Sequence, residues 1–337
     1  MDVQDWFDSR TFHCRQFRNV AKLVEAKQRQ GLSISLGLPT LNVEETVGKI
    51  VSMLVRVLVE RHPLLDQVAI IDSHSSDRTV EIAESLGAEV YFDDDLLPTM
   101  GTAAGKGEAL WKSLDALWGD IVIWIDSDIR NIHPRFVYGL VGPLLTDSEV
   151  KFVKAFYERP LHEGSVVHET GGGRVTELMA RPALNLFYPH LSGFMQPLSG
   201  EYAGRREVFE SVPFFTGYAV ETGLLVDISE RYGLESMAQV DLAQRIHSNQ
   251  PLQALGRMSF AILKAVMMML EREGRVKGAP ETGEVFNAVA ALGEGYTLAP
   301  NEVPIIQRPR IDSVQEYLEH RKQKRKRGGK RAPAGKR

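Results

Sequence analysis

Apolar residues recur along this chain in two alternating periods. Short aliphatic blocks at 33–38, 68–71, 89–92 and 121–125 have the length and composition of strands. Between them run longer stretches with helical spacing. Val47, Ile50, Val51, Leu54, Val55 and Leu58 share one helical face. Asn42 is placed to cap that helix, and Glu44 and Glu45 occupy its first turn, where the helix dipole favours anions. Residues 77–86 and 107–118 form further helices. This order predicts an α/β fold with a mostly parallel central sheet and helices on both faces.

Beyond residue 150 the alternation loosens. A strand is expected at 150–156, and helices at 174–187, 219–231 and 252–272. The division expected is a helical lead-in over 1–30, an α/β domain over 31–160, a mainly helical part over 161–320 and a disordered tail over 321–337. The tail holds ten Lys or Arg and no acid, with too little apolar surface to offset the entropy of ordering.

Charge and composition narrow the function classes. The first 320 residues carry 30 Lys or Arg against 44 Asp or Glu, so the body is acidic. A general nucleic-acid binder would carry basic charge on its folded body. No run approaches the roughly 18 apolar residues of a membrane span; the longest, at 265–270, is flanked by Lys264 and Glu271. The start is acidic, unlike a secretory signal. Cys14 is the single cysteine, so no internal disulfide forms. Together these predict a cytoplasmic protein without membrane contact.

In open α/β sheets, ligands bind beyond the carboxyl ends of the strands. Polar clusters follow three of the expected strands: Pro39-Thr40-Leu41-Asn42, Asp72-Ser73-His74-Ser75-Ser76-Asp77 and Asp126-Ser127-Asp128. Three on one edge indicate one site. Hard divalent cations such as Mg²⁺ and Mn²⁺ favour carboxylates and phosphate oxygens, so one acid of Asp-Ser-Asp can bind metal while the other reaches a ribose or metal-bound water. Helix capping or a surface turn is the bland alternative. Asp72 and Ser73 sit where they can hydrogen-bond a base, while Ser76 or Asp77 caps the next helix.

Gly105-Lys106-Gly107 would let backbone approach a diphosphate at a helix start, with Lys106 supplying charge. It lacks Walker spacing, and a solvated lysine beside turn glycines is the alternative. Gly171-Gly172-Gly173-Arg174-Val175-Thr176-Glu177 offers backbone N–H groups, an arginine fork and a hydroxyl as an anion cradle, or else a linker before a capping box. His247, close to Asn249, is either a structural histidine or a metal ligand. Glu221 either caps its helix or meets an acceptor. Arg205-Arg206 reads as solvated surface charge.

These motifs, over roughly residues 33–249, resemble the glucosyl-3-phosphoglycerate and mannosyl-3-phosphoglycerate synthases of actinobacterial type, retaining glycosyltransferases of the GT-A nucleotide-sugar fold. Gly-Gly-Arg-Val-Thr-Glu-Leu is the most specific of them. The resemblance implies that Pro39, Leu41 and Ser73 line the nucleoside pocket and that Lys106 meets the donor diphosphate. It places Asp126 and Ser127 at the ribose and diphosphate, and Asp128 with His247 on a divalent metal, Mg²⁺ or Mn²⁺. Gly173, Arg174 and Thr176 would hold phosphoglycerate, with Tyr218, Glu221 and Asn249 near the sugar and acceptor. Asp128, Lys106 and Glu221 are then the catalytic candidates.

The activity implied is transfer of a hexose from a nucleotide-diphosphate sugar to the 2-hydroxyl of 3-phosphoglycerate, in a homodimer. Two departures, Val43 for an acid and His74 for a glycine, fall near the base. They favour GDP-mannose over UDP- or GDP-glucose. A lipid-linked glycosyltransferase would carry membrane helices. A nucleotidyltransferase expects a basic, Gly-rich loop after the first strand, which 39–43 lacks. An RNA-binding protein would rest on the tail alone.

Overall fold

The computed structural model describes residues 1–159, 161–163, 166–168, 173–246, 252–277, 283–292 and 295–328. Its strands are β1 (Thr11–His13), β2 (Ile34–Thr40), β3 (Gln67–Asp72), β4 (Glu89–Phe92), β5 (Ile121–Trp124), β6 (Phe152–Glu158), β7 (Leu161–Glu163) and β8 (Val166–His168). They continue with β9 (Tyr202–Arg205), β10 (Phe214–Phe215), β11 (Met237–Gln244), β12 (Val285–Leu292), β13 (Gly295–Glu302) and β14 (Gln307–Arg308). The helices are α1 (Val3–Arg10), α2 (Val20–Gln30), α3 (Glu44–Leu54), α4 (Thr79–Ser85), α5 (Lys106–Ala116) and α6 (Arg135–Thr146). Then follow α7 (Arg181–Phe187), α8 (Arg206–Glu210), α9 (Val220–Tyr232), α10 (Leu252–Arg272) and α11 (Gln315–Gly328).

Eight strands form the central sheet in the order β1-β11-β6-β9-β5-β2-β3-β4. All neighbours pair parallel except β9, which is antiparallel to both β5 and β6. Period-two alternation assigns the faces. Val122 and Trp124 of β5 enter the core under α5, α9 and α10, while Ile121 and Ile123 enter the core shared with α2, α3 and α6. Helices therefore cover both faces.

The sheet does not respect the boundaries expected at residues 30 and 160. Strand β1 comes from the lead-in, and β9 and β11 from the part expected to be mainly helical. Three residues in β1 and a glycine in β9 are too short a signal for periodicity. The β12–β13 hairpin is a second departure from that helical expectation. Helix α11 covers the first eight residues expected to be disordered: Arg321 reaches Glu210 at 3.3 Å, and Lys324 donates to the Asp115 carbonyl. Residues 329–337 lie outside the described residues.

Helix α10 is long and apolar enough, by length and composition, to cross a membrane. This corrects the expectation that no such run exists. Here Ile262, Ala265, Val266, Met269 and Leu270 bury one face in the core.

Two local assignments also change. Asn42 does not cap α3; it holds a left-handed φ of 53°. The orphan donors of that helix are met from the next loop: Val43 N–H donates to Thr79 at 2.9 Å and Glu44 N–H to Asp77 at 3.0 Å. Arg206 is buried, not solvated. Its guanidinium donates to the carbonyls of Leu114, Leu117 and Gly119 and so terminates α5.

Candidate active site

A cavity of about 510 Å³ opens beyond the carboxyl ends of β2, β3, β5, β6 and β11. Pro39, Leu41 and Ser73 line it, as do Lys106, Asp126, Ser127 and Asp128. Gly173, Arg174, Thr176, Tyr218 and Glu221 complete the expected set within the described residues. His247 and Asn249 lie outside those residues.

Asp72 does not line the cavity. It is fully buried, accepting from Thr40 Oγ1 at 2.7 Å and from the Ser75 backbone and hydroxyl at 2.7 and 2.6 Å. Both carboxylate oxygens are engaged by the end of β2 and by the loop, so Asp72 shapes the place where Ser73 stands. His74 is also absent from the lining, whereas Val43 is present. The His74 ring stacks on Phe92, with Nε2 2.8 Å from Asp94. That hydrogen bond raises its pKa above the ordinary histidine value. His74, Asp93 and Asp94 bring their ligand atoms within 4.8 Å of one another, an exposed group that could hold a cation.

The cavity floor is a ring of alternating charge. Lys106 Nζ stands 2.5 Å from Asp126 and 3.0 Å from Glu221. The other Asp126 oxygen accepts from Arg245 at 3.0 Å. Arg245 also donates to Asp128 at 2.6 Å and lies 3.3 Å from Glu201. Tyr157 donates to Glu201 at 2.5 Å. Close packing secures the ring: a Cβ on Gly200 would fall 2.2 Å from the Asp126 carboxylate.

The electrostatics follow from these pairs. Burial pulls the Lys106 ammonium down, but Asp126 and Glu221 outweigh it and hold it charged, well above the ordinary lysine value. Burial pushes Asp126 up, and Lys106 and Arg245 outweigh that, keeping it below the usual carboxylate range. Lys154 lies beneath, donating to the Ser199 carbonyl at 2.8 Å; burial pulls its pKa down to about 7.

Asp128 presents a carboxylate that is 44% exposed. A hard oxygen donor beside space for phosphate oxygens fits Mg²⁺ or Mn²⁺. Among the described residues, four cations line the cavity: Lys106, Arg159, Arg174 and Arg245. Such a set suits two anionic ligands at once. Sequence reasoning missed Arg159 and Arg245. Each follows a strand end, of β6 and of β11, and recognising β11 would have exposed Arg245.

Residues 35–212 match the profile of Glycosyl transferase family 2. The chain is 50% identical to glucosyl-3-phosphoglycerate synthase of Petrotoga mobilis, over 94% of this chain and 98% of that one. Its structure resembles that of mannosyl-3-phosphoglycerate synthase from Rubrobacter xylanophilus, with a TM-score of 0.86, 43% identity and coverage of 93% and 98%. It also resembles glucosyl-3-phosphoglycerate synthase from Mycobacterium tuberculosis in complex with Mn²⁺, UDP and phosphoglyceric acid, with a TM-score of 0.77, 40% identity and coverage of 88% and 95%.

Proposed function

The chain belongs to Glycosyl transferase family 2 and, within it, to the glucosyl- and mannosyl-3-phosphoglycerate synthases, and we propose that it moves a hexose from a nucleotide diphosphate to the 2-hydroxyl of 3-phosphoglycerate with retention. The observation that carries this reading is the partly buried, charged Lys106 held between Asp126 and Glu221 in a cavity lined, among the described residues, by three further arginines. A fixed cation in a partly dry site stabilises charge that develops on a leaving diphosphate, and it is already oriented before reaction.

In this reading Pro39, Leu41 and Ser73 hold the nucleoside, and Asp126 and Ser127 face the ribose and diphosphate. Gly173, Arg174 and Thr176 grip the acceptor, which Arg159 can join. Tyr218 would meet the sugar, and Asn249 is assigned to the acceptor by the resemblance alone. Glu221 orients Lys106. Asp128 would hold a divalent metal with His247, and such a metal neutralises charge on the leaving diphosphate. Relatives from Mycobacterium tuberculosis have been solved with Mn²⁺ or Mg²⁺ and UDP, which supports that cofactor. Retention by front-face attack, with the leaving phosphate oxygen taking the acceptor proton, suits a site whose carboxylates are already paired to cations.

The donor proposed is UDP-glucose. The expectation of GDP-mannose rested on Val43 and His74 together, and only Val43 lines the cavity. GDP-mannose stays as a second reading because of the Rubrobacter neighbour. Purified protein with 3-phosphoglycerate and Mg²⁺ should be offered UDP-glucose, GDP-glucose and GDP-mannose. Formation of a hexosyl-phosphoglycerate with UDP-glucose is expected. No product from any donor would overturn the reading.

The homodimer is proposed with it. The cross-strand pair Val289 and Leu298 leaves an exposed apolar patch on the β12–β13 hairpin that a second copy could cover. Sedimentation velocity tests this, and a monomer at assay concentration would refute it. Residence in the cytoplasm is carried as a further part of the proposal, open to cell fractionation.

A further inference from the structure

We propose that Arg308, far along the chain from every site motif, is a positioning residue for the transfer reaction. The inference rests on the roles given above to Lys106 and Glu221. Lys106 is the first residue of α5, and Glu108, two residues on, is almost fully buried. Arg308 meets that carboxylate with both prongs of its guanidinium, at 2.7 and 2.6 Å. Its third nitrogen donates to the Met100 carbonyl at 2.7 Å, in the segment that leads into Gly105 and Lys106. A two-pronged, buried arginine–carboxylate pair fixes orientation as well as distance. The first turn of α5 is thereby held from behind the cavity.

The same two-residue strand holds the opposite wall. Strand β14 pairs antiparallel with β10, Phe214 opposite Arg308 and Phe215 opposite Gln307. The chain then runs through Thr216, whose N–H donates to the Ile306 carbonyl at 2.9 Å, into Tyr218 and Glu221. The two walls touch directly: a Cβ on Gly107 would lie 2.0 Å from the Phe215 carbonyl oxygen. Arg308 thus joins the piece that carries Lys106 to the piece that carries Glu221, and the Lys106–Glu221 distance of 3.0 Å is the product of that joint.

A double-mutant cycle tests this, using Arg308→Gln, Lys106→Ala and the two combined in the full-length enzyme. Misplacing a reacting group by about 1 Å costs on the order of 100-fold, so Arg308→Gln should lower kcat by about 10- to 100-fold. KM for 3-phosphoglycerate should stay near its starting value. In the Lys106→Ala background the same change should have almost no further effect on kcat, because the group it positions is gone. Arg308→Lys, which keeps the charge opposite Glu108, should recover part of the rate. It also carries the cycle should Arg308→Gln fail to fold. Equal losses in both backgrounds, or normal kcat in Arg308→Gln, would overturn the inference. Normal turnover in Lys106→Ala alone would instead overturn the role given to Lys106.

Discussion

Helix α9 carries a charge cluster near each end, and the two differ in whether carboxylates meet cations alone or also one another. At its start, Glu221 joins the ring in which every carboxylate has a cation: Lys106 beside Asp126 and Glu221, Arg245 beside Asp126, Asp128 and Glu201. At its end, Asp227 and Glu230 approach Glu273, so three carboxylates share Arg272 and Arg275. Burial raises Asp227 to about 6, against the pull of Arg272. Burial and then a hydrogen bond with Glu273 raise Glu230 to about 7. Similar side chains therefore behave differently. Lys106 and Arg245 hold Asp126 below the usual carboxylate range, so it faces the cavity with fixed charge, whereas burial raises the pKa of the fully buried Glu201 in the same ring. The far cluster, where Glu230 shares a hydrogen bond with Glu273, keeps a proton near neutrality and has the character of a stability element.

The sharpest way to break the comparison is at the cavity. Asp128→Ala should reduce turnover by about 100-fold or more, the scale of losing one preorganised electrostatic contact. Its half-exposed carboxylate should contribute little to the melting temperature. Near-normal turnover at saturating Mg²⁺ would remove Asp128 from the site. His247→Ala is the companion variant and should raise the metal concentration needed for half-maximal rate.

Arg174→Ala should act more selectively. Acceptor affinity is expected to fall about tenfold, the scale of about 1.4 kcal/mol, with nucleotide affinity nearly unchanged. Arg174→Lys should suffer too, since a point charge does not reproduce a bidentate fork. Calorimetric titrations that find both ligands equally weakened would assign Arg174 to structure.

At the far end of α9 the effect is on stability and depends on pH. Glu230 has a folded pKa raised from 4.5 to about 7, so the native state binds more protons than the unfolded chain between those values. Its stabilising contribution is complete below 4.5 and is lost as pH rises through 7. Glu230→Gln should therefore flatten the fall in melting temperature between pH 5 and pH 8 while leaving kcat alone. An unchanged slope would mean that the carboxyl is not protonated in the fold. Asp126 at the other end of α9 supplies the contrast, because Lys106 and Arg245 keep it ionised across that whole window.

The smallest effect is expected at the C-terminus. Ending the chain after His320 removes the Arg321–Glu210 and Lys324–Asp115 contacts but spares Arg308. Partly exposed ion pairs contribute about 0–1 kcal/mol, so the melting temperature should drop by no more than a few degrees. Turnover should be unchanged. A large loss of activity would show the tail reaching the substrates.

What the amino-acid sequence determined by itself is local. The strands β2 to β6 were legible as short aliphatic blocks, and helices α3, α5, α9 and α10 because helical spacing repeats over enough positions to be read. Asp126-Ser127-Asp128 and Gly105-Lys106-Gly107 were legible because each is a short polar run at the end of such an element, where an α/β sheet binds ligands. Partnership across the chain was decided only by the tertiary structure. Arg245 reaches Asp126 from 119 residues away, Arg308 reaches Glu108 from 200, and Arg206 lies buried under carbonyls of α5. Asp72 carries the same polar signal as Ser73, yet its carboxylate is consumed by Thr40 and Ser75. A charged side chain carries no mark in the sequence of whether it will meet water, a ligand or an opposite charge; the folded backbone decides that by what it brings within 3 Å.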